Sequence, residues 1–280
     1  MKKGKKEKLI KENSKIPVLI NEVKNKFNRS PNVNLAYHRE VEIHFIKRGK
    51  GFYFIHNRKY FFDTDTAIVI YPDQQHFSYL DYPYFIEKVS VYFSPNFLKK
   101  ISFDINSIPH SVNLSGKEKA EIQLIIDVMR SEIACENKFS EEIIEKAISL
   151  ILFLLKRCKY NSRVSDKRRS PIVDDIIDYI NENYQKNITI SDLSKVIHKS
   201  ESYLSHLFKE YTGIGIKSYL LQKRILEAKK ILESQTDMKV VKVGEKVGFP
   251  SFALFNRTFK KIIGTTPSSY RNLFIEKSRK

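Results

Sequence analysis

SESYLSHLFKEYTG, residues 200–213, returns 51 positions later as SFALFNRTFKKIIG, residues 251–264. Ser200 falls on Ser251, Phe208 on Phe259, Lys209 on Lys260 and Gly213 on Gly264, and beyond them Ser218 and Tyr219 fall on Ser269 and Tyr270. Leu204 lands on Phe255, so that slot stays apolar. Self-similarity at a fixed offset marks one supersecondary unit used twice. Each copy has the layout of a helix-turn-helix: a short amphipathic helix, a tight turn, then a helix with polar and basic residues.

The first copy opens at Thr189 or Ser191, either of which can accept a backbone N–H bond at a helix N-terminus. Leu193, Val196 and Ile197 follow at the spacing of a buried stripe, and the turn falls around His198–Ser200. Tyr203, Leu204, Leu207, Phe208 and Tyr211 continue the apolar face up to Gly213, a helix stop. The second copy uses Val240, Val243 and Val247, a turn at Gly248-Phe249-Pro250, and Leu254, Phe255, Phe259 and Ile262 before Gly264. Between the copies, Lys217–Leu232 reads as one helix, roughly 24 Å long at 1.5 Å per residue. A spacer of that order lets two readers reach successive major-groove segments, about 34 Å apart.

These residues resemble the DNA-binding domain of the AraC-type (arabinose-operon regulator) transcription factors. The resemblance covers residues 171–273 and is carried by Tyr203–Lys209, Thr212-Gly213, Val247-Gly248-Phe249, Phe255–Lys261 and Gly264–Arg271. It departs from the family's habit at Ser194 and Gly244, where a small alanine is usual, and at Leu254, where an aromatic is common. Gly244 inside a helix is expected to cost about 1 kcal/mol relative to Ala and to soften the second copy. The resemblance implies base readers at Ser202, Ser205 and His206 in the first copy, and at Phe252, Ala253, Asn256 and Arg257 in the second. Arg257 suits guanine and Asn256 adenine, each pair worth about 1–3 kcal/mol of discrimination, while Ala253 and Phe252 suit a thymine methyl. Lys209, Lys217, Lys260, Lys261 and Arg271 are assigned to phosphate, which positions without specifying.

Charge supports a phosphate binder. The net +18 is uneven: residues 1–30 carry +7, 31–155 carry −2, 156–169 carry +6 and 170–280 carry +7. Basic charge thus avoids the middle of the chain. Cys135 and Cys158 show no paired spacing, against a disulfide framework or a cysteine zinc site and in keeping with a reducing cytosol. The longest apolar run, Ile148–Leu155, is too short to cross a bilayer, so a cytoplasmic protein without a membrane partner is expected.

Residues 1–30 read as a basic arm, partly disordered, with a short helix near Val18–Phe27. Short runs rich in Val, Ile, Phe and Tyr follow: Val41–Lys47, Gly51–His56, Lys59–Phe62, Ala67–Tyr71 and Glu87–Phe93 are predicted strands. Many short strands suggest a sandwich or barrel. This part resembles the jelly-roll cupin that AraC-type regulators carry as a sensor, on His38, Glu42, Gly49, Gly51, Pro72 and His76. His38, Glu42 and His76 match three ligand positions of metal-binding cupins, but Ala36 replaces the first histidine. The set therefore reads as a ligand pocket, with Tyr53 and Tyr71 and with Phe54, Phe77, Tyr79 and Tyr92 as further wall candidates; a metal stays open.

Lys117–Glu136 and Ser140–Cys158 form a predicted helical hairpin, with apolar stripes through Ile122, Ile125, Ile126 and Met129 and through Ile144, Ile148, Ile151, Leu152 and Leu155. The resemblance implies that such helices join two copies of the chain; packing within one chain is the alternative. The expected architecture is multidomain: the arm at 1–30, a cupin-like β jelly-roll with helical hairpin at 31–158, a linker at 159–170, and an all-α domain with two helix-turn-helix motifs at 171–273. The expected function is sequence-specific binding of double-stranded promoter DNA, modulated by a small-molecule effector, with RNA polymerase as a partner if the protein activates. The rival is a cupin-type metalloenzyme with an appended basic helical domain. A basic RNA binder is a further alternative, but the aromatic-rich sheet signature of that module is missing. Against an enzyme stand the incomplete ligand set and the lack of GxSxG, HExxH or phosphate-loop motifs; no cofactor is read.

Overall fold

The computed structural model describes residues 18–27, 36, 38–55, 58–135, 137–158 and 170–278, which form two compact units. The basic arm before Val18, the linker at 159–169, the strand end at His56 and the turn at Asn57 lie outside the described residues.

The N-terminal unit is built of two antiparallel sheets. Its strands are β1 (Val18–Lys26), β2 (Val41–Gly49), β3 (Gly51–Ile55), β4 (Arg58–Phe62), β5 (Thr66–Ile70), β6 (His76–Leu80), β7 (Phe85–Phe93) and β8 (Ser111–Asn113). The larger sheet runs β1-β7-β2-β5-β8 and the smaller β4-β3-β6. A short helix α1 (Asn96–Lys100) precedes β8, and the hairpin α2 (Gly116–Cys135) and α3 (Ser140–Arg157) follows it.

Alternation along the strands decides what each side chain meets. Val41, Ile43 and Phe45 of β2 and Val89, Val91 and Phe93 of β7 share a core with Ile122, Ile126 and Met129 of α2 and Ile144, Ile148, Ile151 and Leu155 of α3. The intervening residues of the larger sheet, Ile46, Ile68, Ile70 and Ile86, meet Tyr53, Ile55, Phe62 and Leu80 of the smaller one inside the barrel. Burying each such side chain contributes about 1.5–3 kcal/mol.

One expectation is overturned. Val18–Lys26 is neither a helix nor part of an arm: it is an edge strand, paired from Val18↔Phe93 to Lys26↔Phe85. The N-terminal unit therefore begins before residue 31. Val18 and Ile20 face the helix-side core, Val23 faces the barrel interior, and Lys24 reaches Glu87 at 3.7 Å. Long-range pairing outweighs a lysine- and asparagine-rich composition here.

The C-terminal unit is helical: α4 (Pro171–Asn183), α5 (Ile190–Ile197), α6 (Glu201–Thr212), α7 (Ile216–Ser234), α8 (Val240–Lys246), α9 (Phe252–Ile263) and α10 (Pro267–Ser278). Ser170 caps α4 and Pro171 occupies its first turn. Thr189 and Asp192 form a reciprocal capping box on α5, which settles the start at Thr189. Ile225, Ala228 and Leu232 of α7, Val243 and Val247 of the α8 segment, and Phe249, Phe255 and Phe259 make one core. Arg224, buried, donates from Nε to the Tyr184 carbonyl and from Nη2 to the Lys186 carbonyl, both at 2.7 Å, and so ties α7 to the chain leaving α4.

Two side chains expected in the core face solvent instead. Val196 and Tyr203 are exposed, because Leu193 and Leu204 already fill the buried side of their helices. Gly244 also has a reason to stay glycine: a Cβ there would lie 2.8 Å from Cδ1 of the buried Phe255 ring. The helix-propensity cost is thus coupled to a close packing of α8 on α9, and the second copy is not simply softer.

Candidate functional site

The paired helices α6 and α9 are built alike. Each has 12 residues. Ser200 accepts from the Tyr203 N–H and Ser251 from the Leu254 N–H, satisfying donors that the helix leaves unpaired. Each stops at a left-handed glycine, Gly213 at φ 79° and Gly264 at φ 86°. Leu204 and Phe208 in one helix, and Phe255 and Phe259 in the other, face inward.

The opposite faces carry the predicted readers. Ser202 and His206 are exposed and Ser205 half-buried; Phe252, Ala253 and Arg257 are exposed and Asn256 half-buried. His206 lies 3.7 Å from Glu210. Arg257 stands free of the core rather than in a buried ion pair. The two helix starts differ: α6 carries Glu201 in its first turn, whereas α9 has no acid there. Of these two, only the α9 start leaves its helix dipole without a first-turn acid.

Lys209, Lys217, Lys260 and Lys261 are exposed. Arg271 is not: it donates to the Thr236 carbonyl at 2.9 Å, and its Nε and Nη2 are buried. It anchors α10 beside the α7–α8 connection, which removes it from the phosphate set. The sequence places it correctly on α10, but its direction depends on a loop 35 residues away.

The barrel brings His38, Glu42 and His76 together and adds His44, which the sequence reading passed over. Glu42 and His44 are two apart in β2, so both point to the interior. Glu42 Oε2 lies 2.9 Å from His38 Nε2 and 3.2 Å from His76 Nε2, and Oε1 lies 2.8 Å from His44 Nε2. Burial opposes ionisation of Glu42, yet the pull of His44 and hydrogen bonds from all three imidazoles hold its carboxyl well below the ordinary range. Burial also opposes charge on His38, but its bond to Glu42 and the charges of Glu42 and Glu40 raise it above the ordinary value. His44 goes the other way, to about 4, through burial and the charge of Lys88 against the opposing pull of Glu42.

The tautomers follow from the partners. His38 Nδ1 faces the Glu40 carbonyl at 3.1 Å and His76 Nδ1 the Gln74 carbonyl at 2.9 Å, so both nitrogens must donate. Each Nε2 then faces Glu42 Oε2. Unless something positive sits among these atoms, two lone pairs confront a carboxylate. A proton on His38, whose pKa is raised, supplies such charge; so would a divalent cation, for which carbonyl-anchored imidazoles and a carboxylate are a fitting donor set. The three donor atoms lie within 4.8 Å of one another.

Among the tyrosines, Tyr53 and Tyr92 belong to this site. Tyr53 stacks on His44 with ring centroids 4.9 Å apart and accepts from Lys88 Nζ at 2.7 Å. Tyr92 sits edge-on to His38 at 6.0 Å. Tyr71 does not belong: it packs on the helix-side core and its hydroxyl donates to the Ile108 carbonyl. Phe54, Phe77 and Tyr79 alternate onto the other face of the smaller sheet, where Phe54 stacks on Phe77 at 5.0 Å.

Comparison with known proteins bears on both units. A helix-turn-helix domain model matches residues 193–273, and an AraC-like ligand binding domain model matches residues 28–152. The chain belongs to the AraC family of transcription regulators. That family is one of regulators and not of enzymes, which sets the metalloenzyme aside. The transcriptional regulatory protein HptR of Staphylococcus aureus is 39% identical over 98 residues, 35% of this chain and 38% of HptR. The uncharacterized HTH-type transcriptional regulator YdiP of Escherichia coli is 28% identical over 173 residues, 59% of this chain and 56% of YdiP. Each match thus spans less than two thirds of the relative. The DNA-binding domain of AdpA, solved with a target DNA, is 22% identical with a TM-score of 0.37, covering 40% of this chain and 99% of that one. ToxT of Vibrio cholerae is 16% identical with a TM-score of 0.40, covering 92% and 98%. Among the described residues, no helix of this AraC-type chain is long and apolar enough to cross a membrane.

Proposed function

We propose that this AraC-type regulator binds duplex promoter DNA sequence-specifically through the exposed faces of α6 and α9, in the cytoplasm. The observation that carries the reading is the duplication itself: two capped helices of equal length, each with its apolar side buried and its polar side open. Ser202, Ser205 and His206 read in the first copy, and Phe252, Ala253, Asn256 and Arg257 in the second; Lys209, Lys217, Lys260 and Lys261 hold phosphate. The α9 end, with arginine, asparagine and no first-turn acid, is the more discriminating reader. Selection of bound fragments from a random duplex pool tests this. A strong consensus with bipartite spacing of about one helical turn is expected, and recovery without any consensus would overturn it.

The N-terminal unit we read as the sensor, taking a small-molecule effector at the His38–Glu42–His44–His76 cluster beside Tyr53. A second reading is favoured by the tautomers of His38 and His76: a divalent cation held by His38, Glu42 and His76. Such an ion would supply the positive charge that the carboxylate and the two imidazole nitrogens call for, and a Lewis-acidic point for an oxygen-bearing effector. The exposed Leu124 and Val128 of α2 and Leu150 and Phe153 of α3 suit contact with a second copy of the chain. RNA polymerase is the further partner if the protein activates.

A further inference from the structure

The N-terminal unit contains a cavity on the helix side of the larger sheet, across that sheet from the histidine cluster. Its volume is about 420 Å³, within the roughly 300–1,000 Å³ of small-molecule sites. The floor is apolar: Phe45 of β2, Val89 of β7, and Ile122 and Ile126 of α2. The mouth is cationic, and the strand geometry explains why. β2 pairs Ile46 with Lys88 and then Arg48 with Glu87, leaving Lys47 as the extra residue of a bulge. A bulge interrupts the alternation and re-aims side chains. Two successive residues, Lys47 and Arg48, consequently line the same opening, and Lys119 of α2 joins them.

Positive charge is in excess there. The one lining acid, Asp65, is engaged by Lys119 at 2.8 Å. Lys47 reaches Glu22 at 3.1 Å; Arg130, outside the lining, contacts both Glu22 at 3.2 Å and Asp127 at 3.4 Å. Arg48 sits over the Phe85 ring at 5.4 Å. An apolar floor under a mouth with surplus cations matches one kind of occupant.

We propose that this cleft binds an amphipathic small molecule, with an apolar body against Phe45, Val89, Ile122 and Ile126 and one anionic group at Lys47 and Arg48. A neutral apolar ligand would leave the cations without a counter-charge, and an inorganic anion would leave the floor without a use. The proposal does not rest on what the barrel interior holds.

Two fluorescent probes share an anilinonaphthalene body and differ in a sulfonate: 8-anilinonaphthalene-1-sulfonate and neutral N-phenyl-1-naphthylamine. Titrated into the full chain, the sulfonate should saturate one site and bind about tenfold tighter than the neutral probe. Lys47→Gln with Arg48→Gln should weaken the sulfonate about tenfold and leave the neutral probe unchanged. Those two changes leave Glu22 paired with Arg130, which it shares with Asp127. Ala120→Phe, on the exposed side of α2 where it lines the cavity, should weaken both probes by filling it. Equal affinity of the two probes, insensitivity of the sulfonate to the loss of both cations, or insensitivity of both probes to Ala120→Phe would each overturn the proposal.

Discussion

Gly248 and Gly264 form a matched pair for measuring what close packing contributes to the second reader. Both lie just past a helix of that copy with nearly the same backbone, φ 87° and 86°. Their surroundings differ. A Cβ at Gly264 would meet nothing within 4 Å, whereas one at Gly248 would lie 2.4 Å from the Gln185 carbonyl oxygen and 2.7 Å from its carbon. Alanine at either site incurs about 1–2 kcal/mol for a left-handed conformation, less about 0.4–1 kcal/mol regained from a stiffer unfolded chain. Gly264→Ala should therefore lose about 1 kcal/mol. Gly248→Ala must also push backbone apart, adding about 1–3 kcal/mol, for a loss of about 3 kcal/mol. The difference of about 2 kcal/mol corresponds to about 8–16 °C in the melting of a domain this size. Circular dichroism melts and urea titrations of the full-length variants supply the numbers. Losses equal to within about 0.5 kcal/mol would refute the idea that the second turn is seated on the end of α4.

Other outcomes are expected from the same geometry. Arg257→Ala should relax preference at one base position by about 1–3 kcal/mol, read by binding to a panel of single-base variants of the selected site. Lys260→Ala should weaken all duplexes alike and lower the salt slope by about one unit in anisotropy titrations. Arg224→Met removes two hydrogen bonds from a buried guanidinium and should destabilise the C-terminal unit by about 2–4 kcal/mol in urea; a loss under about 1 kcal/mol would show that the tie is incidental. On the cation reading, the wild-type chain should take up one equivalent of Zn²⁺ by elemental analysis, and Glu42→Gln should not. Phe153→Glu, on the exposed side of α3, should shift a dimer to monomer in sedimentation velocity, and an unchanged dimer would move the contact elsewhere.

How much of this was legible in the residues varies with the range of the interaction. Helices announce themselves locally: the pattern predicts Lys117–Glu136 and Gly116–Cys135 is found, it predicts Lys217–Leu232 and Ile216–Ser234 is found. Their caps and periodicity lie within the segment itself. The main strands were placed to within two residues for the same reason, but β1, β6 and β8 were missed, being short or polar and recognisable only by their partners. Which side of a strand a tyrosine takes was harder still. Tyr71 falls on the helix side and Tyr53 on the barrel side because each is counted from its own strand's register. His44 was within reach, since period two puts it beside Glu42. Arg271 was not, because only the folded loop at Thr236 reveals its acceptor.

The pairing of Val18–Lys26 with β7 carries a practical consequence. The region matched by the ligand-binding family begins at residue 28, after that strand. A shortened chain starting there would strip the border of the larger sheet and leave a row of unsatisfied peptide groups along β7, a template on which identical molecules can stack. Lys24 and Lys26, on the outermost strand of the intact chain, place like charges where such stacking would start. Colloidal behaviour of the sensor half should thus depend on the nine residues of β1.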